Sequence, residues 1–410
     1  MQIRSLILIS ILCFGTANAN SQDSCQLDIT LLTCSPGEEL YSLFGHTAIR
    51  VTDKTVGIDV VFNYGTFDDS NPTEFYWNFT RGLMRYALSA YPMQDFVMEY
   101  QMQNRGVIEQ ELNLTCSEKN KLFEALKVNI REENRFYNYY FHTDNCTTRA
   151  RDIIVKNTES KVEFKNILPP KTPSYRNLIH EYLNKGGQYW SKFGIDILLG
   201  ANLDKKVTND QAMFLPDYLM LAFDTATIRS QPLVNAKPVI LPTPEKEISG
   251  SWFKPEYFFS LLLILVLALQ FSKSASAKRI LRIFDVFFFF LLGLLGLVIL
   301  TLWIIRIDDS IRNNFNLLWT LPTHLIVAPL INTKRKWVKK YVQFTFILTI
   351  LLALTWFFIP QQLHWAVAPI LIIIIARTFR GLPVIGYRLP VATNLEPVTG
   401  NLQPAPIHQN

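Results

Sequence analysis

The second half of the chain consists largely of apolar runs that are typical of membrane spans. Five candidate spans follow residue 256. A bilayer core about 30 Å thick requires roughly 20 helical residues, so the second and fourth runs are long enough alone, and the shorter runs need flanking aromatic residues. We therefore predict an all-α membrane domain over residues 251–385, with spans near 256–271, 283–305, 316–332, 341–359 and 363–379.

The charges in the loops between these runs predict the orientation. Lys and Arg are concentrated in the first and third loops, whereas Arg306 and Arg312 in the second loop are offset by Asp308 and Asp309, and the fourth loop has neither Lys nor Arg. Loops rich in Lys and Arg stay in the cytoplasm. This places the first and third loops and a tail of residues 386–410 in the cytoplasm, and residues 20–250 outside it.

The N-terminus independently predicts export. Arg4 precedes an apolar run over residues 6–14, and Ala17-Asn18-Ala19 has the small-x-small pattern of a signal peptidase site. Residues 1–19 are therefore interpreted as a signal peptide cleaved after Ala19. The signal peptide and the loop charges give the same orientation.

The net charge of +6 does not indicate a nucleic-acid partner. Residues 20–250 hold 24 Lys and Arg against 29 Asp and Glu, whereas residues 251–410 hold 15 against 5. The excess belongs to the membrane half, where the positive-inside bias explains it. No nucleic acid is expected to bind.

The exported residues 20–250 are expected to form one α+β domain with a helical extension. Residues 48–51 and 59–64 flank a turn and predict a hairpin, and residues 107–114 predict a further strand. Thr115 and Glu118 form a capping box before a helix at about 117–131. Residues 174–229 are predicted to be mainly helical, and the prolines from Pro232 to Pro244 to form a stiff, extended linker to the membrane.

Two short motifs carry the chemistry. Phe-Gly-His-Thr-Ala-Ile-Arg at 44–50 places His46 at the start of a strand, and Asp-Asn-Cys-Thr-Thr-Arg at 144–149 places Cys146 at the start of a helix over 147–157. A helix N-terminus favours an anion and lowers the pKa of a thiol. A thiol nucleophile also needs a base and a group that orients the base. His46 is the predicted base, with His142 as the alternative. In the hairpin Asn63 or Tyr64 falls close to His46. Asn63 is the predicted orienting residue, and the alternative interpretation is a strand-end polar residue that caps a turn.

Four cysteines remain after signal cleavage: Cys25, Cys34, Cys116 and Cys146. An even number in an exported protein is compatible with two disulfides, which would include Cys146. If Cys146 is instead a working thiol, we expect Cys116 to pair with Cys25 or Cys34.

Several other polar residues admit two interpretations. Arg149 and Arg151 could bind a phosphate or carboxylate, or form salt bridges with Asp144 or Asp152. Asn316, Thr320 and His324 recur at four-residue spacing in the third span, where they are either functional or form hydrogen bonds between helices. The sequence has no zinc-ligand spacing, phosphate loop or dinucleotide fingerprint, so no metal or other cofactor is expected.

These motifs together resemble one family. The chain is similar to the Lnb-like family of Bacteroidota, described as lipoprotein N-acyltransferases of the inner membrane. The exported domain of that family is similar to the circularly permuted papain-like group, which includes lecithin:retinol acyltransferases. The resemblance rests on residues 32–50, 62–67, 104–105, 133–135, 144–149, 193–200 and 316–325.

The resemblance implies a function. Cys146 would be the nucleophile and His46 the base of an enzyme that moves an acyl chain from a phospholipid, through a cysteine thioester, to the α-amine of a diacylated lipoprotein in the inner membrane. The expected partners are the phospholipid donor, the lipoprotein acceptor and the bilayer. Candidate substrate-binding residues are Tyr64, Asn145, Arg149 and His324. Two alternatives are a membrane-anchored papain-like thiol hydrolase and a non-enzymatic envelope module in which Cys146 is disulfide-bonded.

Overall fold

An antiparallel sheet forms the centre of the N-terminal half. The computed structural model describes residues 25–67, 72–244 and 252–379, so the predicted signal peptide and cytoplasmic tail lie outside the described residues. Ten strands occur within these ranges: β1 Leu27–Cys34, β2 His46–Asp53, β3 Ile58–Phe67, β4 Met84–Pro92, β5 Val107–Leu112, β6 Phe136–Tyr139, β7 Thr227–Ile228, β8 Gln231–Pro232, β9 Val234–Ala236 and β10 Val239–Leu241.

All neighbouring strands of this sheet are antiparallel, and their order is β10-β5-β1-β2-β3-β4-β6, with β9 also paired to β5. The predicted hairpin is confirmed as β2 and β3, in which Ile49 pairs with Phe62. β1 and β2 place Cys34 opposite His46. The sheet therefore brings residues from distant parts of the sequence to one end of β2.

Helices cover both faces of the sheet. These helices are α1 Pro72–Arg81, α2 Met93–Met102, α3 Cys116–Asn129 and α4 Cys146–Lys156, followed by α5 Tyr175–Lys185, α6 Tyr189–Leu198, α7 Asn209–Ala212 and α8 Pro216–Thr225. Leu31 and Ile49 face α3, α4 and α8, whereas Leu32 and Ala48 face α2. The central strands therefore contribute residues to apolar clusters on both faces of the sheet.

Local caps fix the starts of two helices that matter for the site. The capping box of Thr115 and Glu118 begins α3, as predicted. Asn145 caps α4 and accepts hydrogen bonds from the amides of Thr147 and Thr148. Cys146 is consequently the first residue of α4, one residue before the predicted start of that helix.

The structure corrects the prediction that the segment from Pro232 to Pro244 is only a linker. β7 and β8 form a small hairpin, and β9 and β10 pair with β5 at the edge of the main sheet. The segment is extended, as predicted, but it is bound to the domain as far as Leu241 because an edge strand offers unpaired backbone groups. Composition identifies an extended segment and does not show which edge it joins. Residues 245–251 lie outside the described residues.

Five α-helices are described in the C-terminal half: α9 Pro255–Phe271, α10 Ala275–Ile305, α11 His324–Val327, α12 Lys336–Leu354 and α13 Val367–Thr378. By length and composition, α10 and α12 could each cross a membrane, and α9 and α13 are shorter apolar helices. Arg377 of α13 donates two hydrogen bonds to Asp285 of α10, at 2.7 and 2.8 Å. This buried ion pair joins two of the apolar helices.

The third predicted span is not one continuous helix. Residues 316–332 form a 3-10 turn at Phe315–Leu318, the four-residue α11, and another 3-10 turn at Ala328–Leu330. Pro322 cannot donate a backbone hydrogen bond and disfavours helix at the preceding residue. Gly293 and Gly296 of α10 let this broken segment pack directly against α10. Irregular backbone at membrane depth is tolerated when protein covers it in this way.

The C-terminal end of α6 binds the membrane half. Helix C-termini leave carbonyl groups without partners inside the helix. Asn314 donates to the carbonyls of Ile197 and Leu198 at 2.8 and 2.9 Å, and Gln361 donates to the Leu199 carbonyl at 2.9 Å. These bonds fix the helical extension to the loops at one end of the apolar helices.

A second junction joins α1 to the end of α10. The amide of Ile307 donates to the carbonyl of Arg81 at 3.0 Å, and Arg306 donates to the carbonyl of Phe79 at 3.1 Å. Gly82 follows α1 with a φ of 72°, and a Cβ there would collide with the Asp308 side chain. The end of α10 therefore abuts the turn that leads into β4.

Cys25 and Cys116 form a disulfide, with their Cα atoms 5.5 Å apart. This confirms one of the two expected pairings of Cys116. Cys34 and Cys146 are free thiols. The interpretation in which Cys146 is disulfide-bonded is therefore wrong.

Removing this disulfide should destabilise the N-terminal domain. The bond joins residues 91 positions apart, and the chain-entropy relation gives about 4.6 kcal/mol for a loop of that size. Cys25→Ala and Cys116→Ala should each lower the midpoint of thermal unfolding, followed by circular dichroism in detergent, as much as the double variant does. Additive effects of the two substitutions would contradict the bond.

Candidate active site

His46 lies at the end of the sheet because the chain turns sharply just before it. Gly45 has a φ of 78°, a conformation that favours glycine, and a Cβ at this position would lie 2.8 Å from the carbonyl oxygen of Cys34. β2 then begins at His46. Both the turn and the strand therefore fix the direction of the imidazole.

Cys146 reaches the same place from α4. Its thiol is partly buried and lies 3.7 Å from the Thr147 hydroxyl. The Asn145 side chain donates to the carbonyls of Phe141 and Phe214 at 2.9 and 2.8 Å, in addition to capping the helix. Since all these bonds hold Asn145 in place, the sulfur is positioned by a rigid helix start.

The two residues form one group with Asn63. The Cys146 sulfur lies near enough to the His46 ring for each group to shift the pKa of the other. The other side of the ring is held by Asn63, whose Oδ1 lies 2.7 Å from His46 Nε2. Because Nε2 is engaged with Asn63, we infer that Nδ1 faces the sulfur. The structure thus brings together the predicted nucleophile, base and orienting residue.

The surroundings favour the thiolate of Cys146. Burial raises the pKa of the thiol, but the positive charge and hydrogen bond of His46, the Thr47 amide and the Thr147 hydroxyl outweigh burial and bring the pKa down to about 7. For His46, burial lowers the pKa, whereas the Cys146 thiolate and Asn63 raise it above its ordinary value. A thiolate beside an imidazolium is therefore well populated near pH 7.

A β-bulge next to the site aims Asn63. Asn63 pairs with Ser89 and Thr66 with Ala87, so β3 has one residue more than β4 over this stretch. Bulges of this kind redirect side chains near functional sites. Gly65 lies in the bulge, where an added Cβ would come within 2.6 Å of His46 Cε1. Gly65 leaves the space that the imidazole occupies.

Tyr91 holds the far side of Asn63. Its hydroxyl accepts a hydrogen bond from Asn63 Nδ2 at 3.0 Å. This contact fixes which way the amide points, with Oδ1 toward the imidazole. The chain of contacts therefore runs from Cys146 through His46 and Asn63 to Tyr91.

The charge of the Cys146 sulfur raises the pKa of three further tyrosine hydroxyls. Burial and, to a smaller extent, the negative charge of Cys146 together raise the pKa of the Tyr86 hydroxyl to about 12. The same two causes, in the same order, raise the pKa of Tyr137 and Tyr139. Tyr86 and Tyr139 stack with ring centroids 4.3 Å apart. These rings give the site an aromatic wall on the side of β4 and β6.

The predicted substrate-binding residues of this domain have structural contacts. The Tyr64 ring is buried in the core, and its hydroxyl accepts from Asn129 at 3.1 Å. Asn145 is fully engaged as the helix cap. Arg149 donates to both oxygens of Asp144, at 2.6 and 2.8 Å, and lies over the Tyr137 ring. For Arg149 the structure therefore shows the salt-bridge interpretation, and a role in substrate binding stays a prediction for all three.

The two other histidines of interest lie elsewhere. His142 packs against Tyr175, and burial lowers its pKa despite the nearby Asp309 and Asp308. His324 is buried in the membrane half between Phe289 and Tyr341, and its Nδ1 lies 2.8 Å from the Tyr341 hydroxyl. The structure thus pairs His46, not His142, with the cysteine. A substrate contact for His324 stays a prediction.

Asn316 and Thr320 also make internal hydrogen bonds. Asn316 donates to the carbonyls of Asp196 and Ile197, and Thr320 donates to the carbonyl of Asn316. These bonds agree with the interpretation of polar residues that join helices. In the parts of the chain that the structure describes, no group of three or more His, Cys, Asp or Glu side chains could hold a metal ion.

Sequence reasoning missed Tyr91, Gly65 and Thr47. Thr47 offers its amide to Cys146, and its hydroxyl lies 3.1 Å from that of Thr147. Only Thr47 had a local signal, since it follows His46 directly. The roles of Tyr91 and Gly65 depend on the register of β3 and β4, which no short motif specifies.

The fold and the site define a membrane protein whose α+β domain carries a paired cysteine and histidine. Comparison with known families agrees: the family model described as the Lnb N-terminal periplasmic domain matches residues 16–181, and the Lnb transmembrane domain matches residues 246–386. No curated protein and no solved structure matches the chain. The chain belongs to the Lnb-like family, and its N-terminal domain is periplasmic.

Alkylation of Cys146 should reveal its lowered pKa. The thiolate is the reacting form, so the iodoacetamide rate should rise with pH around a midpoint of about 7. In His46→Ala the midpoint should move to 9 or above, because burial then acts without the opposing charge. Mass spectrometry of the tryptic peptides follows Cys146 separately from the buried Cys34. A midpoint above 8.5 in the unmodified protein would contradict the ion pair.

Gly65→Ala should disable the site without unfolding the domain. The new methyl group must displace the His46 ring, and a displacement of about 1 Å can cost about 10²-fold in rate. Cys146 alkylation at pH 7 should fall toward the rate of His46→Ala. Gly194→Ala is the matched control, since a Cβ there meets nothing within 4 Å. Equal rates in both glycine variants would show that the bulge does not position His46.

Proposed function

We propose that this protein is a lipoprotein N-acyltransferase of the bacterial inner membrane, with its C-terminus in the cytoplasm. The observation that carries the proposal is the group of Cys146, His46 and Asn63, in which Cys146 and His46 shift each other's pKa and Asn63 is hydrogen-bonded to His46, in a domain attached to apolar helices. A cysteine at a helix N-terminus and a histidine on a strand form a papain-like arrangement suited to acyl transfer. The family assignment supports the same chemistry.

The first half of the reaction loads the enzyme. The Cys146 thiolate attacks the carbonyl carbon of a phospholipid ester and forms a tetrahedral oxyanion. When this collapses, the carbon–oxygen bond to the glycerol breaks and the His46 imidazolium gives its proton to the leaving oxygen. A lysophospholipid departs, and the acyl chain remains on Cys146 as a thioester.

The second half transfers the chain to the acceptor. The free α-amine of an N-terminal diacylglyceryl-cysteine attacks the thioester carbonyl, and neutral His46 removes a proton from the attacking nitrogen. The carbon–sulfur bond then breaks, which restores the thiolate and the imidazolium. The product is an amide, so the lipoprotein carries three acyl chains.

The oxyanion needs hydrogen-bond donors near the sulfur. The amides of Thr147 and Thr148 already donate to Asn145, and the Arg149 amide donates to the Asn145 carbonyl at 3.0 Å. This leaves the amide of Cys146, at the first position of α4, as the remaining donor of the first turn. We assign the oxyanion to that amide.

The position of the site supports a lipid substrate. Gly82 contacts the end of α10, and β4 begins at Met84. Tyr86, whose hydroxyl responds to the charge on Cys146, is four residues beyond Gly82, or about 13 Å along an extended chain. We expect the sulfur to lie near the membrane surface, where limited access of water would favour aminolysis over hydrolysis.

Cys146→Ser should abolish N-acylation. Loss of a nucleophile that acts with a base costs about 10³-fold or more, so lipoproteins from cells expressing only this variant should lack the amide-linked chain in mass spectra. Cys34→Ala is the control: burial raises the pKa of Cys34 to about 12, which keeps that thiol protonated. Normal triacylated lipoprotein in the Cys146→Ser strain would exclude the proposal, and release of free fatty acid alone by the unmodified enzyme would indicate a hydrolase.

A further inference from the structure

Helix α1 exposes three large aromatic side chains within four residues. Trp77 is 57% exposed and Phe79 is 55% exposed, and the neighbouring Tyr76 is 69% exposed. Contiguous exposed aromatics are costly in water and mark an interaction surface. Tryptophan and tyrosine in particular are enriched where protein meets the headgroup region of a membrane.

The position of α1 identifies what these side chains meet. Its last turn is hydrogen-bonded to the segment immediately after α10, through the carbonyls of Phe79 and Arg81. α10 is long and apolar enough to cross the bilayer. Residues bonded to the end of a membrane helix lie at the level where that helix leaves the membrane, so the aromatics of α1 continue the lipid-facing surface of α10.

A second aromatic cluster marks the same level. Trp252 is 83% exposed, Phe253 is 47% exposed and Tyr257 is 61% exposed, all near the start of α9. α9 precedes α10, so the start of α9 and the end of α10 are on the same side of the membrane. Trp190 of α6 donates to the carbonyl of Phe253 at 3.0 Å, which holds this cluster against the periplasmic domain.

We propose that α1 is an interfacial helix that lies in the periplasmic leaflet of the membrane, with Tyr76 near the middle of its lipid-facing side and Trp77 and Phe79 on either side of Tyr76. Its binding partner is the phospholipid surface itself. This inference extends the proposed function, because β4 leads directly from α1 to Tyr86 beside Cys146. A helix embedded at this point disturbs the lipid packing next to the site and gives an ester carbonyl access to the thiolate.

The direct test is photo-crosslinking in lipid nanodiscs. p-Benzoylphenylalanine is incorporated in place of Trp77 in the full-length protein, and crosslinks to radiolabelled phosphatidylethanolamine are counted after irradiation. The matched control carries the same probe in place of Val56, which is 67% exposed in the turn between β2 and β3 at the opposite end of the sheet. We expect at least ten-fold more lipid crosslinking at position 77 than at position 56.

Two outcomes would overturn the inference. Equal lipid crosslinking at the two positions would show that α1 does not touch the membrane. Crosslinks between two copies of the protein in place of lipid would show that the aromatic face is a protein interface. Neither outcome depends on acyl transfer, so this experiment and the test of the proposed function fail separately.

An activity measurement connects the helix to the reaction. Trp77→Ser combined with Phe79→Ser should slow the loading of Cys146 from phospholipid vesicles by about ten-fold. The reaction of Cys146 with a water-soluble p-nitrophenyl ester should be unchanged, since that substrate does not enter from the bilayer. Met102→Ser, at an 81% exposed position on α2, is the control. Loading from vesicles at the unmodified rate would contradict a role for α1 in lipid entry.

Discussion

The charge interaction between Cys146 and His46 is the contact on which the rest of the site depends. It joins the first residue of α4 to the first residue of β2, which are 100 positions apart in the sequence. His46 lowers the pKa of Cys146, and Cys146 raises the pKa of His46, so each favours the charged form of the other. Burial opposes both charges. The surrounding structure serves to keep this one contact in place, through the Asn145 cap, the Asn63 amide and the bulge at Gly65.

The attachment to the membrane is as specific as the site. The carbonyls at the end of α6 are satisfied by Asn314, Asn316 and Gln361, and the carbonyls at the end of α1 by residues just after α10. A flexible tether would leave the distance from sulfur to lipid undefined. Two hydrogen-bonded junctions instead fix the position of the periplasmic domain relative to the apolar helices.

Local sequence signals predicted the elements of the site well. The capping box at Thr115, the strand start at His46 and the helix start near Cys146 all have short-range causes, and the structure shows each of them. The nearness of Asn63 to His46 followed from the hairpin. Other features depend on long-range register, which short motifs do not specify. These are the bulge that orients Asn63, the hydrogen bond from Asn63 to Tyr91, and the pairing of β9 and β10 with β5. The sequence predicted a continuous third span because hydropathy measures only the length of an apolar run. It does not show that Pro322 and the glycines of α10 allow a broken segment to pack there.

The most direct measurement of the central claim is the trapping of an acyl-enzyme. The full-length protein is incubated with phospholipid nanodiscs in the absence of an amine acceptor, quenched in acid, and digested for mass spectrometry. The account predicts a fatty acyl group on the Cys146 peptide that neutral hydroxylamine removes, as it removes a thioester, and that is missing in His46→Ala. An acyl group attached elsewhere, or no attached chain while lipoprotein is still acylated, would contradict it.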